Sequence, residues 1–130
     1  MTEQDIIERF TTSEYWNFFG FEYVSCTPEE AVIRLPYRQQ LNNTQQTVHG
    51  GVYMSIMDTA MGMLVLARGA NDATTIQMTT NFLKPAIEET VIAKASILEE
   101  MRSTSLVQGR LYNEAGDVLA YYTATFRTKK

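Results

Sequence analysis

The sequence predicts an α+β domain in which one long α-helix covers a face of an antiparallel β-sheet. Three observations support this fold class: an apolar segment of helical length between Gly50 and Arg68, two β-rich segments before it, and four after it. A run of antiparallel strands after one central helix is typical of this arrangement. The chain has 130 residues and no segment rich in Pro, Gly or Ser, so we expect a single domain over residues 1–130.

The segment before the long helix is predicted to contain two short helices and two strands. Ile6, Ile7 and Phe10 recur on one helical face, which predicts a short amphipathic helix over the first ten residues. Ser13 is a typical N-cap for a second short helix, which Gly20 ends. Two β-rich segments with a turn between them, and then a polar loop, lead to the long helix. The predicted ranges are 14–19 for the second helix, 21–26 and 31–37 for the strands, 27–30 for the turn and 38–48 for the loop.

The long helix and the strands after it form the rest of the domain. Length and composition predict a helix from Gly50 to Arg68, which Gly69 ends. The last two strands are predicted to form a hairpin, because Gly116 in the turn 113–116 can adopt a positive φ. The predicted strands are 74–83, 90–100, 104–112 and 117–127.

The composition excludes several classes of protein. Hydrophobic residues make up 45% of the chain and charged residues 20%, which is typical of a globular protein. Because the chain has one cysteine, Cys26, and one histidine, His49, we expect neither an internal disulfide nor a metal centre. The net charge of −4 argues against nucleic acid as a partner. Residues 52–67 contain Asp58 and are expected to be too short and too polar to span a membrane, so we expect a soluble, cytoplasmic protein.

The long helix is apolar on almost every side. Between residues 52 and 67 its only polar side chains, apart from Tyr53, are Ser55, Asp58 and Thr59. A helix that is apolar all round is expected to be buried all round. Because a sheet of about five strands can enclose only one of its faces, we expect a second subunit to cover the rest and the protein to be a homo-oligomer.

Asp58 is the residue that physical chemistry singles out on this helix. Burying a carboxylate costs several kcal/mol unless it is paired or hydrated, and no Lys or Arg lies three or four residues away. One interpretation is a surface aspartate that reaches solvent or is satisfied by Ser55 or Thr59. The functional interpretation, which we favour, is a carboxylate with a raised pKa that lines a cleft and acts as a general base or a nucleophile.

The sequence His49-Gly50-Gly51 opens the same helix. Glycines at a helix start cost backbone entropy, so they favour a place where a ligand approaches bare N–H groups at the positive end of the helix dipole. Such groups can stabilise an oxyanion during attack on a carbonyl. The alternative is a tight corner between loop and helix, with His49 as the cap. Because eight residues of helix span about 12 Å, Gly50 and Asp58 can serve one reaction only if they come from different subunits.

The segment from Asn43 to Ala60 reads NTQQTVHGGVYMSIMDTA and resembles the signature of the hotdog-fold acyl-CoA thioesterases. It is similar in particular to the branch of the phenylacetate-pathway thioesterases and the Arthrobacter-type 4-hydroxybenzoyl-CoA thioesterases. The similarity extends over nearly the whole chain, including NFLKPA at 81–86 and a Gly-Asp hairpin before the last strand. The resemblance implies a hotdog fold, in which an antiparallel sheet of about five to six strands wraps around one long central helix.

The resemblance also implies catalytic roles. Asp58 matches the nucleophile or general base of the family, and the N–H of Gly50 matches the group that polarises the thioester oxygen. Thr75, with Thr74 as the neighbouring alternative, matches a hydroxyl residue that positions the attacking water. The predicted catalytic residues are Asp58, Gly50, Asn43, His49 and Thr75.

The loop before the helix departs from the family's pattern. Asn43, or the adjacent Asn42, matches the residue that helps to orient water or the leaving group. Many relatives carry glycine where this chain has Gln45-Gln46-Thr47, so we expect a differently shaped loop.

A second set of residues is expected to bind the substrate. Methionines on the helix are expected to pack in the core and the interface, with the alternative that these adaptable side chains line an acyl pocket, and basic side chains can meet the phosphates of coenzyme A. The predicted substrate-binding residues are Gly51, Met54, Met61, Lys84, Arg102, Ser103 and Thr104. Coenzyme A enters only as part of the substrate, and no other cofactor is implied.

Hydrolysis of an acyl- or aryl-CoA thioester, by a homodimer or a dimer of dimers, is the function that these observations favour. The alternatives are a non-catalytic acyl-CoA-binding hotdog protein and a hotdog hydratase or dehydratase. A pure sensor of acyl-CoA needs no reactive carboxylate, so the presence of Asp58 favours the hydrolase. The two glycines after His49 differ from the local pattern of the hydratases. Aryl, medium-chain and hydroxylated acyl groups all remain open.

Overall fold

The computed structural model describes residues 1–130 and contains three α-helices and one six-stranded sheet. The predicted order of elements is confirmed, and a short 3₁₀ turn at Gln39–Leu41 interrupts the predicted loop. The second strand ends at Leu35 rather than residue 37, because Pro36 has no N–H to donate to a neighbouring strand. The elements are α1 (Glu3–Thr11), α2 (Glu14–Phe19), β1 (Glu22–Cys26), β2 (Ala31–Leu35), α3 (Gly50–Ala67), β3 (Asp72–Phe82), β4 (Val91–Glu100), β5 (Thr104–Asn113) and β6 (Val118–Lys129).

The sheet has the strand order β1-β2-β4-β5-β6-β3, and every neighbouring pair is antiparallel. Helix α3 contacts all six strands, so the sheet wraps around the helix as expected. Because α3 connects β2 to β3, the chain crosses from near one edge of the sheet to the opposite edge. Strand β3 therefore forms an edge of the sheet and pairs only with β6.

Local sequence signals end the elements where they were predicted to. The hydroxyl of Ser13 caps α2, and Gly20 ends that helix with a φ of 84°. Gly116 in the last hairpin has a φ of 90°, as the turn requires. A capping box formed by Thr2 and Asp5, which the sequence interpretation did not identify, starts α1.

Most of α3 is packed into the hydrophobic core, but one narrow face of it is not. The residues that stay accessible recur three to four positions apart, as expected for one side of a helix. We call them the α3 stripe: Met54, Ser55, Asp58, Thr59 and Gly62. The curved sheet and α1 cover every other side of α3 in a single chain, so the expectation that the sheet encloses only one face of the helix is wrong, and only the α3 stripe is left for the expected second subunit to cover. The buried residues of α3 are Val52, Tyr53, Ile56, Met57, Ala60, Met61, Met63, Leu64, Val65 and Leu66.

The composition of α3 also corrects the expectation about membranes. By length and composition alone, Gly50–Ala67 is apolar enough to cross a membrane, with a mean hydropathy of 1.3. Asp58 does not lower the mean hydropathy enough to exclude the segment as a possible membrane span, contrary to the expectation from the sequence. The core helix of a globular domain meets the same criteria, and α3 contributes ten buried residues to this core. Burial against the sheet therefore accounts for its apolar composition.

Candidate active site

In the first turn of α3, one backbone N–H group, that of Gly50, donates no hydrogen bond to another atom of the chain. His49 is the N-cap, and its Nδ1 accepts the N–H of Gly51 at 2.8 Å. The carbonyl oxygen of His49 accepts the N–H of Val52 at 2.9 Å. The N–H of Gly50 has no acceptor in the chain and lies at the positive end of the helix dipole. Capping by His49 and an open donor at Gly50, which the sequence interpretation treated as alternatives, therefore occur together.

The loop before α3 is closed by Asn43. Its Oδ1 accepts the N–H groups of Gln45 and Thr47, at 2.9 and 3.1 Å, and its Nδ2 donates to the hydroxyl of Thr47 at 2.9 Å. Gln46 adopts a positive φ of 63° in this loop. Asn43 is thus a loop-forming residue in the single chain, and only the second hydrogen of its amide nitrogen is left for a ligand.

Gly50 lines a cavity of about 270 Å³, which we call the Gly50 cavity. A Cβ atom at position 50 would lie 3.2 Å from the ring of Phe82, so the glycine allows this strand end to approach the helix closely. The hydroxyl of Tyr53 donates to the carbonyl of Lys84 at 2.9 Å and fixes the wall of the cavity. Burial raises the pKa of Tyr53 to about 12, so this donor stays protonated at neutral pH. The cavity is lined by Asn43, Val48, Gly50, Tyr53, Phe82, Leu83, Lys84 and Pro85.

Lys84 lies at this cavity with its charge already paired. Its Nζ is 2.8 Å from Oδ2 of Asp117, and this hydrogen bond raises the pKa of Lys84 and lowers that of Asp117. The amide nitrogen of the buried Asn113 donates to Asp117 and to Glu89, at 3.0 and 3.1 Å. This network holds the segment after β3 in place. The sequence interpretation did not identify it, because its members are far apart along the chain.

The predicted carboxylate lies on the exposed stripe of the same helix. The hydroxyl of Thr75, on β3, donates to Oδ1 of Asp58 at 2.5 Å. Oδ2 of Asp58 accepts no hydrogen bond from the chain and is the free oxygen of the pair. Asp58 is exposed in the single chain, which differs from the expectation of a carboxylate surrounded by apolar groups. The structure places Thr75, and not Thr74, against the carboxylate.

Two cavities flank the Asp58–Thr75 pair, one on each side. The first, of about 280 Å³, contains Tyr15 of α2, and we call it the Tyr15 cavity. The hydroxyl of Tyr15 is 2.6 Å from Oγ of Ser55. The second, of about 210 Å³, we call the Arg9 cavity, because Arg9 lies there and pairs with Asp72 at 3.0 Å. The Tyr15 cavity is lined by Tyr15, Met54, Ser55, Asp58, Thr75 and Met78.

Of the predicted substrate-binding residues Met54, Met61, Arg102, Ser103 and Thr104, only Met54 lines one of these cavities. Met54 lines the Tyr15 cavity and is 43% exposed, whereas Met61 is fully buried in the core and packs there instead of lining an acyl pocket. Arg102 and Ser103 lie in the turn between β4 and β5, Thr104 begins β5, and the three residues line none of the three cavities. Their role in binding was suggested by charge and residue type alone, and tertiary structure places them elsewhere.

The predicted site residues thus form two groups in one chain. Gly50, Asn43 and Lys84 share the Gly50 cavity, while Asp58 and Thr75 lie between the other two cavities. Gly50 of the first group and Asp58 of the second are eight residues apart on α3, a separation of about 12 Å. Tyr15, Ser55 and Met78 were not predicted; Tyr15 is 40 residues from Ser55 in the sequence, and no local signal connects the two.

Comparison with known proteins supports the family to which the sequence motif points. Mouse acyl-coenzyme A thioesterase 13 is 27% identical over 94 residues, which cover 70% of this chain and 66% of the mouse protein. The structure of the Escherichia coli PaaI protein, from the phenylacetic acid degradation operon, has a TM-score of 0.90 at 21% identity and covers 98% of this chain and 92% of that one. A hypothetical thioesterase of Streptococcus pneumoniae, solved with coenzyme A, has a TM-score of 0.79 at 21% identity, covering 83% and 87%.

The sequence model of the thioesterase superfamily matches residues 45–120. This range includes the open N–H of Gly50, the Asp58–Thr75 pair and most of the sheet around α3. With its six-stranded sheet wrapped around one central helix, the chain has the hotdog fold and belongs to the thioesterase superfamily.

Proposed function

We propose that the protein hydrolyses the thioester of an acyl- or aryl-CoA to a free acid and coenzyme A, at a site that two copies of the chain form together. The observation that carries the proposal is the placement on one helix of the open N–H of Gly50 and the exposed carboxylate of Asp58, which Thr75 holds at one oxygen. Gly50 and Asp58 are too far apart to contact one carbonyl group within a chain, since about 12 Å separates them.

The exposed surface of the chain supports a second copy as the missing half. The α3 stripe is uncovered, β3 leaves its outer edge unpaired, and large apolar side chains are accessible beside them, with Met54 43%, Ile76 57% and Phe82 54% exposed. Accessible apolar surface next to a free strand edge is typical of an interface. If two α3 stripes pack antiparallel, Gly50 of one copy lies opposite Asp58 of the other, and a two-fold axis passes near Met54.

In the complete site, the two groups act on opposite sides of the thioester. The N–H of Gly50 from one copy donates to the carbonyl oxygen and stabilises the negative charge that develops there. The helix dipole adds to this effect. Asp58 of the other copy presents Oδ2, because Thr75 holds Oδ1. Asn43 lies in the Gly50 cavity, where its free amide hydrogen can orient water or the leaving sulfur.

Two routes fit this arrangement. In the first, Asp58 takes a proton from water, the water oxygen bonds to the carbonyl carbon, the C–S bond breaks, and the thiolate of coenzyme A is then protonated. In the second, Oδ2 of Asp58 attacks the carbonyl carbon itself, the thiolate leaves, and water hydrolyses the resulting anhydride. Mass spectrometry of rapidly quenched enzyme separates them, because only the second route leaves an acyl group on Asp58.

Two of the similar proteins support coenzyme A thioesters as the substrates. The mouse relative is an acyl-coenzyme A thioesterase, and the streptococcal structure contains coenzyme A. Variants of that streptococcal protein with one aspartate or one threonine changed to alanine have also been solved. These are the residue types of the Asp58–Thr75 pair. A hydratase based on His49 is disfavoured, because the Nδ1 of this residue is used in capping α3.

The proposal is tested by following the release of free thiol from a panel of acyl-CoA thioesters. Asp58→Asn keeps the shape of the side chain and removes its basicity, so turnover should fall by at least about 100-fold while acyl-CoA binding survives. Glu22→Gln is the matched control, because it removes an exposed carboxylate that pairs with Arg34 on strands remote from the site. Normal turnover in Asp58→Asn would show that the carboxylate has another role, and binding without turnover in the unmodified protein would favour an acyl-CoA sensor.

A further inference from the structure

Tyr15 is placed against the Asp58–Thr75 pair by contacts that do not depend on a ligand. Its hydroxyl is 2.6 Å from Oγ of Ser55, which precedes Asp58 by less than one helical turn. Its ring packs on the rings of Phe19 and Phe21, with centroids 4.9 and 6.5 Å away. The hydroxyl end of the side chain is thus held by Ser55 of α3, and its ring is held by Phe19 of α2 and by Phe21, which follows α2. The ring is therefore a fixed wall rather than a free surface side chain, although the residue is 53% exposed.

The Tyr15 cavity is better suited to an acyl group than the cavity on the other side of Asp58. Apart from Asp58, its lining contains no charged residue, and Met54 and Met78 provide adaptable apolar surface. The Arg9 cavity contains the additional charges of Arg9 and Asp72. An apolar acyl group displaces water from the groups that line its cavity. The free-energy cost of this displacement is lower in the cavity whose lining carries fewer charges. The acyl part of a thioester bound at Asp58 is therefore expected to point toward α2.

From this geometry we propose that Tyr15 is a specificity-determining residue, whose ring closes the α2 end of the acyl cavity and restricts the substrate to compact acyl groups. The inference rests on the proposed thioesterase function and adds the residue that sets acyl length. The methionines in the lining can shift to accommodate different shapes, whereas Tyr15 is fixed at both ends. The limit on acyl length thus lies at Tyr15 and not at the methionines.

The experiment compares kcat/KM for butyryl-, octanoyl- and dodecanoyl-CoA in the unmodified protein and in variants of Tyr15. Tyr15→Ala removes the wall, so the ratio of dodecanoyl to butyryl activity should rise by at least about tenfold, the effect expected when a hydrophobic pocket changes by one or a few methylene groups. Tyr15→Trp enlarges the wall and should lower the same ratio. Tyr15→Phe keeps the ring but loses the hydrogen bond to Ser55, so it should raise the ratio less than Tyr15→Ala does. Phe18→Ala is the matched control, because Phe18 lies on the same helix, is 72% exposed and does not line the cavity.

The outcomes separate this inference from the proposed function. If the unmodified protein releases thiol but Tyr15→Ala and Tyr15→Trp both keep its length profile, Tyr15 does not set specificity, and the thioesterase proposal stands. An equal shift in Phe18→Ala would also overturn the inference, since it would reflect general loosening of α2. If Tyr15→Ala does not fold, the shift in Tyr15→Trp decides the question. An unmodified protein that hydrolyses none of the thioesters would overturn both proposals.

Discussion

A site shared between two copies predicts that two inactive variants restore activity when they are combined. Gly50→Pro removes the open N–H, and proline suits this position because Gly50 is the first residue of α3. His49 has an extended backbone, with φ −62° and ψ 138°, as the residue before a proline requires. The crowding that a side chain causes is limited to the ring of Phe82, which is 54% exposed and can move. Gly50→Ala is the control, because it adds the same Cβ contact with Phe82 and keeps the N–H.

The expected recovery follows from counting sites. Gly50→Pro and Asp58→Asn should each lower turnover by at least about 100-fold, since removing one oxyanion donor has an effect of this size. In a heterodimer of the two variants, one site carries both lesions and the other carries neither. A purified heterodimer should therefore show about half of the unmodified activity, and an equimolar mixture after subunit exchange about a quarter. If each site came from one chain, every site would carry a lesion and activity would stay near or below about 1%.

The assay uses co-expression of the two variants with different affinity tags, purification over both tags, and measurement of thiol release. Circular dichroism and light scattering establish that both variants are folded and associated. A heterodimer that is no more active than either variant alone would refute the shared site. Strong activity in Gly50→Pro by itself would show that its N–H is not the oxyanion donor.

Three further predictions test the interface, the hydroxyl beside the carboxylate and the packing of the core. Met54→Cys should form an intersubunit disulfide on mild oxidation, because position 54 is exposed and lies midway between Gly50 and Asp58 on α3. The one native cysteine is buried, so it should not compete. A non-reducing gel with monomer only would contradict the antiparallel packing. Thr75→Val should lower kcat by roughly 10- to 100-fold through loss of a hydrogen bond to a charged group, while Thr75→Ser retains activity; equal rates in both would refute the role of the hydroxyl. Gly109→Ala should lower the free energy of unfolding by roughly 1–3 kcal/mol, measured in urea, because its Cβ would overlap the side chain of Met57; unchanged stability would show that the core has room there.

The sequence alone determined the order and type of the elements because their signals are local. The apolar composition of α3 together with the Gly69 that follows it, Ser13 as a cap and Gly116 in a turn each act within a few residues. The same holds for the two principal site residues. Gly50 is conspicuous because it starts a helix, and Asp58 because it interrupts an apolar one.

The sequence was misleading where exposure depends on how the sheet curves. Composition predicted that a second subunit covers all but one face of α3, but the sheet and α1 leave only the stripe of Met54 and Asp58 open. Met61 has the same side-chain type as Met54 and lies seven residues later, yet it is fully buried. Because seven residues are nearly two full turns, the two side chains lie on nearly the same side of α3, and their exposure differs because the chain covers that side at one turn and not at the other. Residue type does not report which turns of a helix the rest of the chain covers.

Only the tertiary structure decided which distant residues meet at the site. The register of β3 beside α3 brings the hydroxyl of Thr75, rather than that of Thr74, to Asp58, because neighbouring residues of a strand point to opposite faces. The docking of α2 places Tyr15 on Ser55, and the last hairpin places Asp117 on Lys84. Each of these contacts joins residues 17 to 40 positions apart in the sequence. Their formation depends on the packing of whole elements against a shared core, which no local pattern encodes.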